Sequence, residues 1–330
     1  MNIEYTCDDN FVWLAGISMI SLFEMNKNLK EINVYLLGDN ISDKNKGILR
    51  EISSKYSRTF VAIDVPELDI PEILCNQRWP RSVYIRLFSG QLLPKDIKSI
   101  LYLDCDTIIT NDLSQLENLN IEDKIVYGVK DCIGRLYKEN IGLSEDTVYI
   151  NAGILMFNVE KLRDMDMSKE ISGFLNKYAK TMFFADQDVL NGIFKGDVGV
   201  LNPKYDLMTL LYSYSYKEIQ SLRKPTAYYS KVEIEEAKEK PCIVHFTTCM
   251  LNVRPWFHGS NHPYSRLFDM YWTMSPWSKM PYQVKKKDSK EDTILKFLLS
   301  IMPKKIGISI LGILHSNVRP FLVRHKTRLL

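Results

Sequence analysis

Short apolar runs rich in β-branched and aromatic residues, at 3–7, 32–37, 59–65, 98–109 and 125–129, alternate with segments of helical period at 11–25, 44–56 and 82–92. Strand, helix and strand in succession bury both faces of a mostly parallel sheet. The alternation therefore predicts an α/β fold with helices on either side. The second half is mixed, with a strand pair expected around 148–158, helices at 168–179 and 187–194, and a last buried strand at 242–247. A chain of 330 residues, 45% of them apolar, can build one large core, so disorder as the main state is excluded. No internal repeat is apparent.

Charge is unevenly spread. From Lys279 onward twelve Lys or Arg stand against three acids, net +9, whereas the preceding residues hold 31 bases and 37 acids, net −6. The basic stretch contains Lys285-Lys286-Lys287, an apolar piece at 294–302, a break at Pro303-Lys304-Lys305 and a second apolar piece at 306–314. Neither piece reaches the roughly 18–20 residues that cross a bilayer. Segments that are short, basic and amphipathic lie in the membrane interface, where each Lys or Arg over anionic lipid adds about 1 kcal/mol. The other reading is a pair of helices packed on the body with a solvated basic face. Nucleic acid is not expected as a partner, because the apolar residues of the tail are aliphatic rather than stacking aromatics. The expected organisation is a body at 1–275 and a membrane-interface tail at 276–330. Six cysteines without a CxxC pair read as free thiols of a reducing compartment, and Glu4, Asp8 and Asp9 are unlike a secretory leader. Together these place the chain in the cytoplasm, peripheral on the inner face of the membrane.

Chemistry concentrates first at Leu103-Asp104-Cys105-Asp106, which closes the apolar run from Ser99. Strand side chains alternate faces, so Asp104 and Asp106 share one face while Cys105 points back into the protein. Two carboxylates can hold one divalent cation and leave positions open for phosphate oxygens. Taken alone, an Asp after a strand also caps turns. His245 ends another apolar strand and is a candidate third ligand, whose imidazole suits manganese better than magnesium or calcium. A hydrogen-bonded core histidine is the plainer alternative.

With these segments and several others the chain resembles the retaining glycosyltransferases of family 8, which include bacterial lipopolysaccharide galactosyl- and glucosyltransferases and, more distantly, glycogenin. The resemblance runs from residue 3 to about residue 272. It implies a single GT-A type domain, a Rossmann-like mixed sheet that binds a nucleotide-diphospho-sugar, followed here by the basic helical tail. Thr6-Cys7-Asp8-Asp9-Asn10 is similar to the family's first-strand segment, which implies that Thr6, Asp8 and Asn10 hold uridine. Tyr84-Ile85-Arg86-Leu87 is similar to its helix arginine, which reaches the donor phosphate and sugar. Asp104-Cys105-Asp106 matches its DxD pair and His245 its third metal ligand, implying Mn2+ with Mg2+ as second choice. The segment from Asn151-Ala152-Gly153 to Asn158 matches the strand across the donor sugar, and Asp186-Gln187-Asp188-Val189-Leu190-Asn191 the block beside the reacting carbon.

On their own, these residues leave alternatives open. Asp8, Asp9 or Asn10 could cap the helix that begins near Phe11. Arg86, among apolar neighbours, suits either a phosphate clamp or an internal salt bridge. Gly153 permits close backbone approach, or marks a strand bulge. Asp186 suits an N-cap and Asp188 a first-turn acid. Asp131 is placed to meet sugar hydroxyls or to cap a turn. After His245 the chain departs from the family's Gly- and Lys-containing turn: Thr248 stands near the usual Gly, and Arg254, before Pro255-Trp256, replaces the Lys that meets diphosphate. Arg can bind phosphate bidentately; otherwise Arg254 is a surface residue.

The expected activity is transfer of galactose or glucose from a UDP-sugar, with retention, to a growing glycan that is lipid-linked if the tail holds the enzyme at the membrane. Tyr205, Met208 and Tyr212 are candidates for lining the acceptor site or for ordinary core packing. Two other classes compete: a metal-dependent nucleotidyltransferase, which the lack of a Gly-rich basic loop counts against, and a non-catalytic glycan-binding or membrane-adaptor protein of the same fold.

Overall fold

The computed structural model describes residues 1–71, 80–249, 252–285 and 301–326. A seven-stranded sheet forms its centre, in the order β3-β2-β1-β4-β7-β6-β8. Its strands are β1 (Asn2–Asp8), β2 (Asn33–Asp39), β3 (Thr59–Asp64), β4 (Ser99–Leu103), β6 (Val126–Lys130), β7 (Ile150–Asn158) and β8 (Val198–Val200). Neighbours pair in parallel except where β7 runs antiparallel between β4 and β6. Alternation of side chains along each strand divides the interior into two cores. Ile3, Tyr5, Cys7, Leu101 and Leu103 face one, with the helix Val12–Met25; Tyr102, Leu155 and Phe157 face the other.

The 98–109 run is not one strand. It breaks at Asp104, whose N–H makes a last bond to the Gly153 carbonyl at 2.7 Å. The Thr107 hydroxyl then donates to the Asp104 carbonyl at 2.8 Å and turns the chain. β5 (Thr107–Ile109) belongs to a separate three-stranded sheet, beside β10 (Ile243–His245) and β9 (Leu207–Met208). Asp104-Cys105-Asp106 is therefore the crossover between two sheets. The expected strand pair at 148–158 is instead one nine-residue strand, and the segment at 82–92 is a 3-10 helix, Arg81–Phe88, closed by the α-turn Ser89–Leu92.

The tail also differs from expectation. Lys304–Ile313 continues through π-turns at Leu314–Val318 into Arg319–Lys326, well past residue 314. Residues 304–325 are long and apolar enough to cross a membrane, but the helix is seated on the body. Gly312 lets it approach so closely that a Cβ there would lie 2.0 Å from the Ser221 carbonyl oxygen. Most of the apolar piece at 294–302, with Lys286 and Lys287, lies outside the described residues.

Candidate active site

Strand direction assembles the site. β1, β4 and β6 end at the same edge of the sheet at which antiparallel β7 begins, so Asp8, Asp104, Asp131 and Asn151 gather there although they are spread over 144 positions. In the small sheet His245 pairs with Thr107, immediately after the DxD, and the Phe246 N–H donates to the Asp106 carbonyl at 2.9 Å.

Among the described residues, Asp104, Asp106 and His245 offer one ligand atom each within 4.8 Å of one another. His245 Nε2 lies 3.5 Å from Asp104 Oδ2 and 3.3 Å from Asp106 Oδ1. Its other nitrogen, Nδ1, is 3.0 Å from Asp206 Oδ1. Asp206 is fully buried, and its second oxygen has no hydrogen-bond partner among the described residues. A buried carboxylate on Nδ1 fixes that nitrogen as a donor and aims Nε2 at the two aspartates, as second partners of metal-bound histidines do. Burial opposes charge on His245, but Asp206 and Asp106 outweigh it and hold its pKa well above the usual histidine value. Two carboxylates and an oriented imidazole fit a divalent transition ion. Gly153 supplies the space, since a Cβ there would lie 2.2 Å from His245 Cε1 and 2.9 Å from Asp104 Oδ2. It marks a close approach; the irregular register of β7 lies opposite Gly128 and Lys130.

Arg86 is buried and joins this cluster to the next. Its Nη1 is 3.0 Å from Asp104 Oδ1 and donates to the Ala152 carbonyl at 2.6 Å, while Nε is 3.4 Å from Asp186 Oδ2. The guanidinium also lies over the Tyr102 ring at 4.3 Å. The internal ion pair and the phosphate clamp are thus compatible, because the pair sits at the site. Burial pushes the Asp186 carboxyl up to about 6, against the pull of Arg86. Burial also lifts Asp188, but its oxygens are occupied: Oδ1 accepts the Tyr149 hydroxyl at 2.6 Å, and Oδ2 accepts the N–H groups of Phe183 and Phe184 at 2.5 and 2.7 Å. Asp188 therefore fixes the turn before the helix Ala185–Ile193. Gln187 faces the strands. Its Oε1 accepts from Asn151 Nδ2 at 3.0 Å and from the Ala152 N–H at 3.2 Å, and its Nε2 donates to Asp131 Oδ2 at 2.8 Å. Asp131, Asn151 and Gln187 form one polar cluster.

At the end of β1, the Thr6 hydroxyl bonds the Tyr102 hydroxyl at 3.2 Å, which donates to Asp104 Oδ1 at 2.6 Å. Asp8 accepts the Asn10 N–H at 2.9 Å, and Asn10 is exposed. Neither caps the next helix, whose N-cap is Phe11 without a side-chain bond; Asp9 instead binds Ser42 and Asn45. The Cys105 thiol points into the core, 3.6 Å from the Thr6 carbonyl, so only its backbone can face a ligand. Arg254 Nη2 is 3.1 Å from Asp106 Oδ2, and its Nε donates to the Phe246 carbonyl at 2.8 Å. Thr248 is exposed; Met250 and Leu251, which follow it, lie outside the described residues. Tyr205 and Met208 are core residues, 5% and 4% exposed, whereas Tyr212 is half-buried and hydrogen-bonds His262. A cavity of 210 Å³ among Met1, Asn2, Ser99 and Met156 lies at the opposite edge of the sheet, away from these carboxylates.

Asp206 is a residue of the cluster that the sequence did not point to. Its segment has no periodic signal, and only the pairing of β9 with β10 brings it to His245. Asp206→Asn is expected to weaken Mn2+ binding by roughly 10- to 100-fold. An amide that turns its nitrogen to Nδ1 forces the proton onto Nε2 and blocks the ligand atom. Titration of Mn2+ followed by electron paramagnetic resonance measures this, and unchanged affinity would remove Asp206 from the site.

A mostly parallel α/β sheet with a DxD crossover and a distant histidine beside it has the architecture of a GT-A type transferase domain. The chain belongs to glycosyl transferase family 8, whose sequence profile matches residues 2–259. It is 24% identical over 281 residues to general stress protein A of Bacillus subtilis, covering 84% of this chain and 95% of that one. It is 25% identical over 288 residues to a lipopolysaccharide 1,2-glucosyltransferase of Escherichia coli K12, covering 84% and 79%. Among solved structures, the galactosyltransferase LgtC in complex with donor and acceptor sugar analogues superposes with a TM-score of 0.71 at 22% identity, over 88% of this chain and 98% of that one.

Proposed function

We propose that this transferase moves galactose or glucose from a UDP-sugar to a growing glycan, with retention of the α configuration. The observation that carries the reading is the convergence of Asp104, Asp106 and His245 beside Arg86 and Arg254. Breaking the bond from the anomeric carbon to phosphate adds negative charge to the leaving diphosphate. A divalent ion on Asp104, Asp106 and His245, Mn2+ by the chemistry of the donor set, supplies Lewis-acid stabilisation of that charge. Arg254 adds a guanidinium at the same place, and Arg86 holds Asp104 and Asp186 in line. Thr6, Asp8 and Asn10 meet the uridine, with Thr248 near the diphosphate, and Asp131, Asn151 and Ala152 meet the sugar.

Gln187 is a poor nucleophile, and both ends of its amide are engaged. That favours departure and attack on one face through an ion pair, with Asp186 supplying negative charge to the oxocarbenium. Asp188, committed to Tyr149 and the 183–184 turn, acts by positioning.

Attachment to the inner face of the cytoplasmic membrane belongs to the same reading. Ile306, Ile310, Ile313, Leu314, Val318 and Phe321 form an exposed apolar stripe, flanked by Lys304, Lys305 and Arg324. A spanning orientation would strip the inner face of this helix from its polar partners, so the helix lies on the surface. An acceptor carried on lipid fits that placement.

Release of UDP from a panel of sugar nucleotides tests the function. The expected result is release from UDP-hexoses alone, lost on chelation and restored by Mn2+, with proton NMR of the product showing an α linkage. Release from non-uridine donors, or an inverted product, would overturn it.

A further inference from the structure

The inner face of the C-terminal helix has no role in the reaction as described. Its π-turns, Leu314–Val318, widen the helix where it meets the body, a geometry frequent at functional places. There the Tyr137 hydroxyl donates to the His315 carbonyl at 3.0 Å, and Arg223 bonds the His315 ring. Further along, Asn140 Nδ2 donates to the Pro320 carbonyl at 3.0 Å, and Arg319 lies over the Phe183 ring at 4.4 Å. Tyr137 and Asn140 reach the same target from the helix Arg135–Asn140. Tyr137 packs on Phe183 and Phe184, with ring centroids 5.4 and 5.0 Å away, and the Asn140 carbonyl accepts the Thr181 hydroxyl at 2.6 Å.

Both helices thus close on the short turn at 181–184. Phe183 and Phe184 are the residues whose N–H groups Asp188 binds, and the hydroxyl of Tyr149, which donates to Asp188, also accepts from Gln187 Nε2 at 3.3 Å. Ala185 follows with φ +47°, a left-handed conformation that an alanine keeps only where its surroundings impose it. The turn that aims Asp186 and Gln187 is held from outside.

We propose that the C-terminal helix is a positioning element of the active site. Through Arg319 and the His315 and Pro320 carbonyls it holds Tyr137, Asn140 and Phe183, and so the turn from which the helix Ala185–Ile193 starts. The tail then has two working faces, an outer apolar stripe and an inner face that sets the geometry of the transfer site. This rests on the transferase reading above.

The test is a comparison of the full-length parent with Arg319→Ala and with Arg319→Ala/Asn140→Ala, by UDP release without membranes and by hydrogen exchange. The double variant is expected to lower kcat by roughly tenfold, with donor KM and Mn2+ affinity unchanged, because misaimed groups cost rate rather than binding. Amides at 181–192 exchange faster, while those of β1 and β4 keep their protection. Arg319→Lys recovers part of the loss, and Ile310→Ser on the outer stripe leaves kcat at the parent value. Exchange needs no donor, so a parent that turns over no UDP-hexose sinks the UDP-hexose reading while exchange still decides this one. Parent-like kcat and exchange in the double variant would overturn the proposal, as would faster exchange spread evenly over the sheet.

Discussion

Asp106→Ala is expected to cut UDP release from the donor by about a thousandfold or more at saturating Mn2+, while the protein stays folded. One unit pair at 4 Å is worth about 4 kcal/mol at an effective dielectric of 20, or about three powers of ten in rate. Asp106 serves two cationic partners, since it faces His245 through Oδ1 and Arg254 through Oδ2. Its loss removes one of the three candidate ligand atoms and frees the guanidinium that its carboxylate orients. The effect on stability is smaller. Arg254 is about a third exposed, so its ion pair is worth roughly 1 kcal/mol or less, and His245 keeps Asp206 beneath it. Asp106→Asn, which keeps shape but not charge, falls between the two. Kinetics with a melting curve for each variant separate the cases. An alanine variant within tenfold of the parent would remove the DxD from the chemistry.

Particular residues show what could be read beforehand. The alternation of strand and helix patterns carries the sheet, and the edge to which Asp8 and Asp104 belong follows from it. Asp104 and Asp106 do face one partner, but not by strand period: both lie in the turn after β4 that the Thr107 hydroxyl closes. The break of the strand was not foreseen, because apolar runs flank Asp104-Cys105-Asp106 on both sides and the turn is made by Thr107 and Gly153 from different elements. Asp206 was illegible for a similar reason: a lone acid in an irregular segment becomes the partner of His245 only through pairing across the small sheet. Asp188 reads as a site residue by its motif and as a helix-start acid by its position, and its contacts follow the second. In the tail, Pro303 marks the break as expected, but nothing in the local pattern at 314–318 announces that the helix continues through π-turns. That continuity depends on Tyr137, Ser221 and Leu222 in the body.

Glu4→Gln should stabilise the protein at pH 8 by about 4 kcal/mol relative to its effect at pH 5. Glu4 is fully buried on β1, and burial pushes its carboxyl up to about 8, against the pull of the Ser89 hydrogen bond and the Arg86 charge. Below its ordinary value of 4.5 the native and unfolded chains both carry the proton. Between 4.5 and about 8 only the native chain does, so each unit of rising pH costs about 1.4 kcal/mol of stability, and above about 8 the cost levels off. The hydrogen bonds agree with a neutral acid. Ser89 Oγ lies 2.8 Å from Glu4 Oε1 and 2.7 Å from the Arg86 carbonyl, and its single proton can serve only one of them. A protonated Glu4 donates to Ser89, and Ser89 then donates to Arg86. Glutamine can make the same donation through Nε2 without the ionisation cost. Melting temperatures of both proteins should diverge steadily from pH 5 to pH 8 by several degrees, at roughly 2 °C per kcal/mol for a chain of this size. Parallel curves would mean that Glu4 is ionised in the fold. The neutral acid also bears on the site, because a charge there would compete with Asp104 and Asp186 for the Arg86 guanidinium. Keeping Glu4 uncharged leaves Arg86 to Asp104 and Asp186.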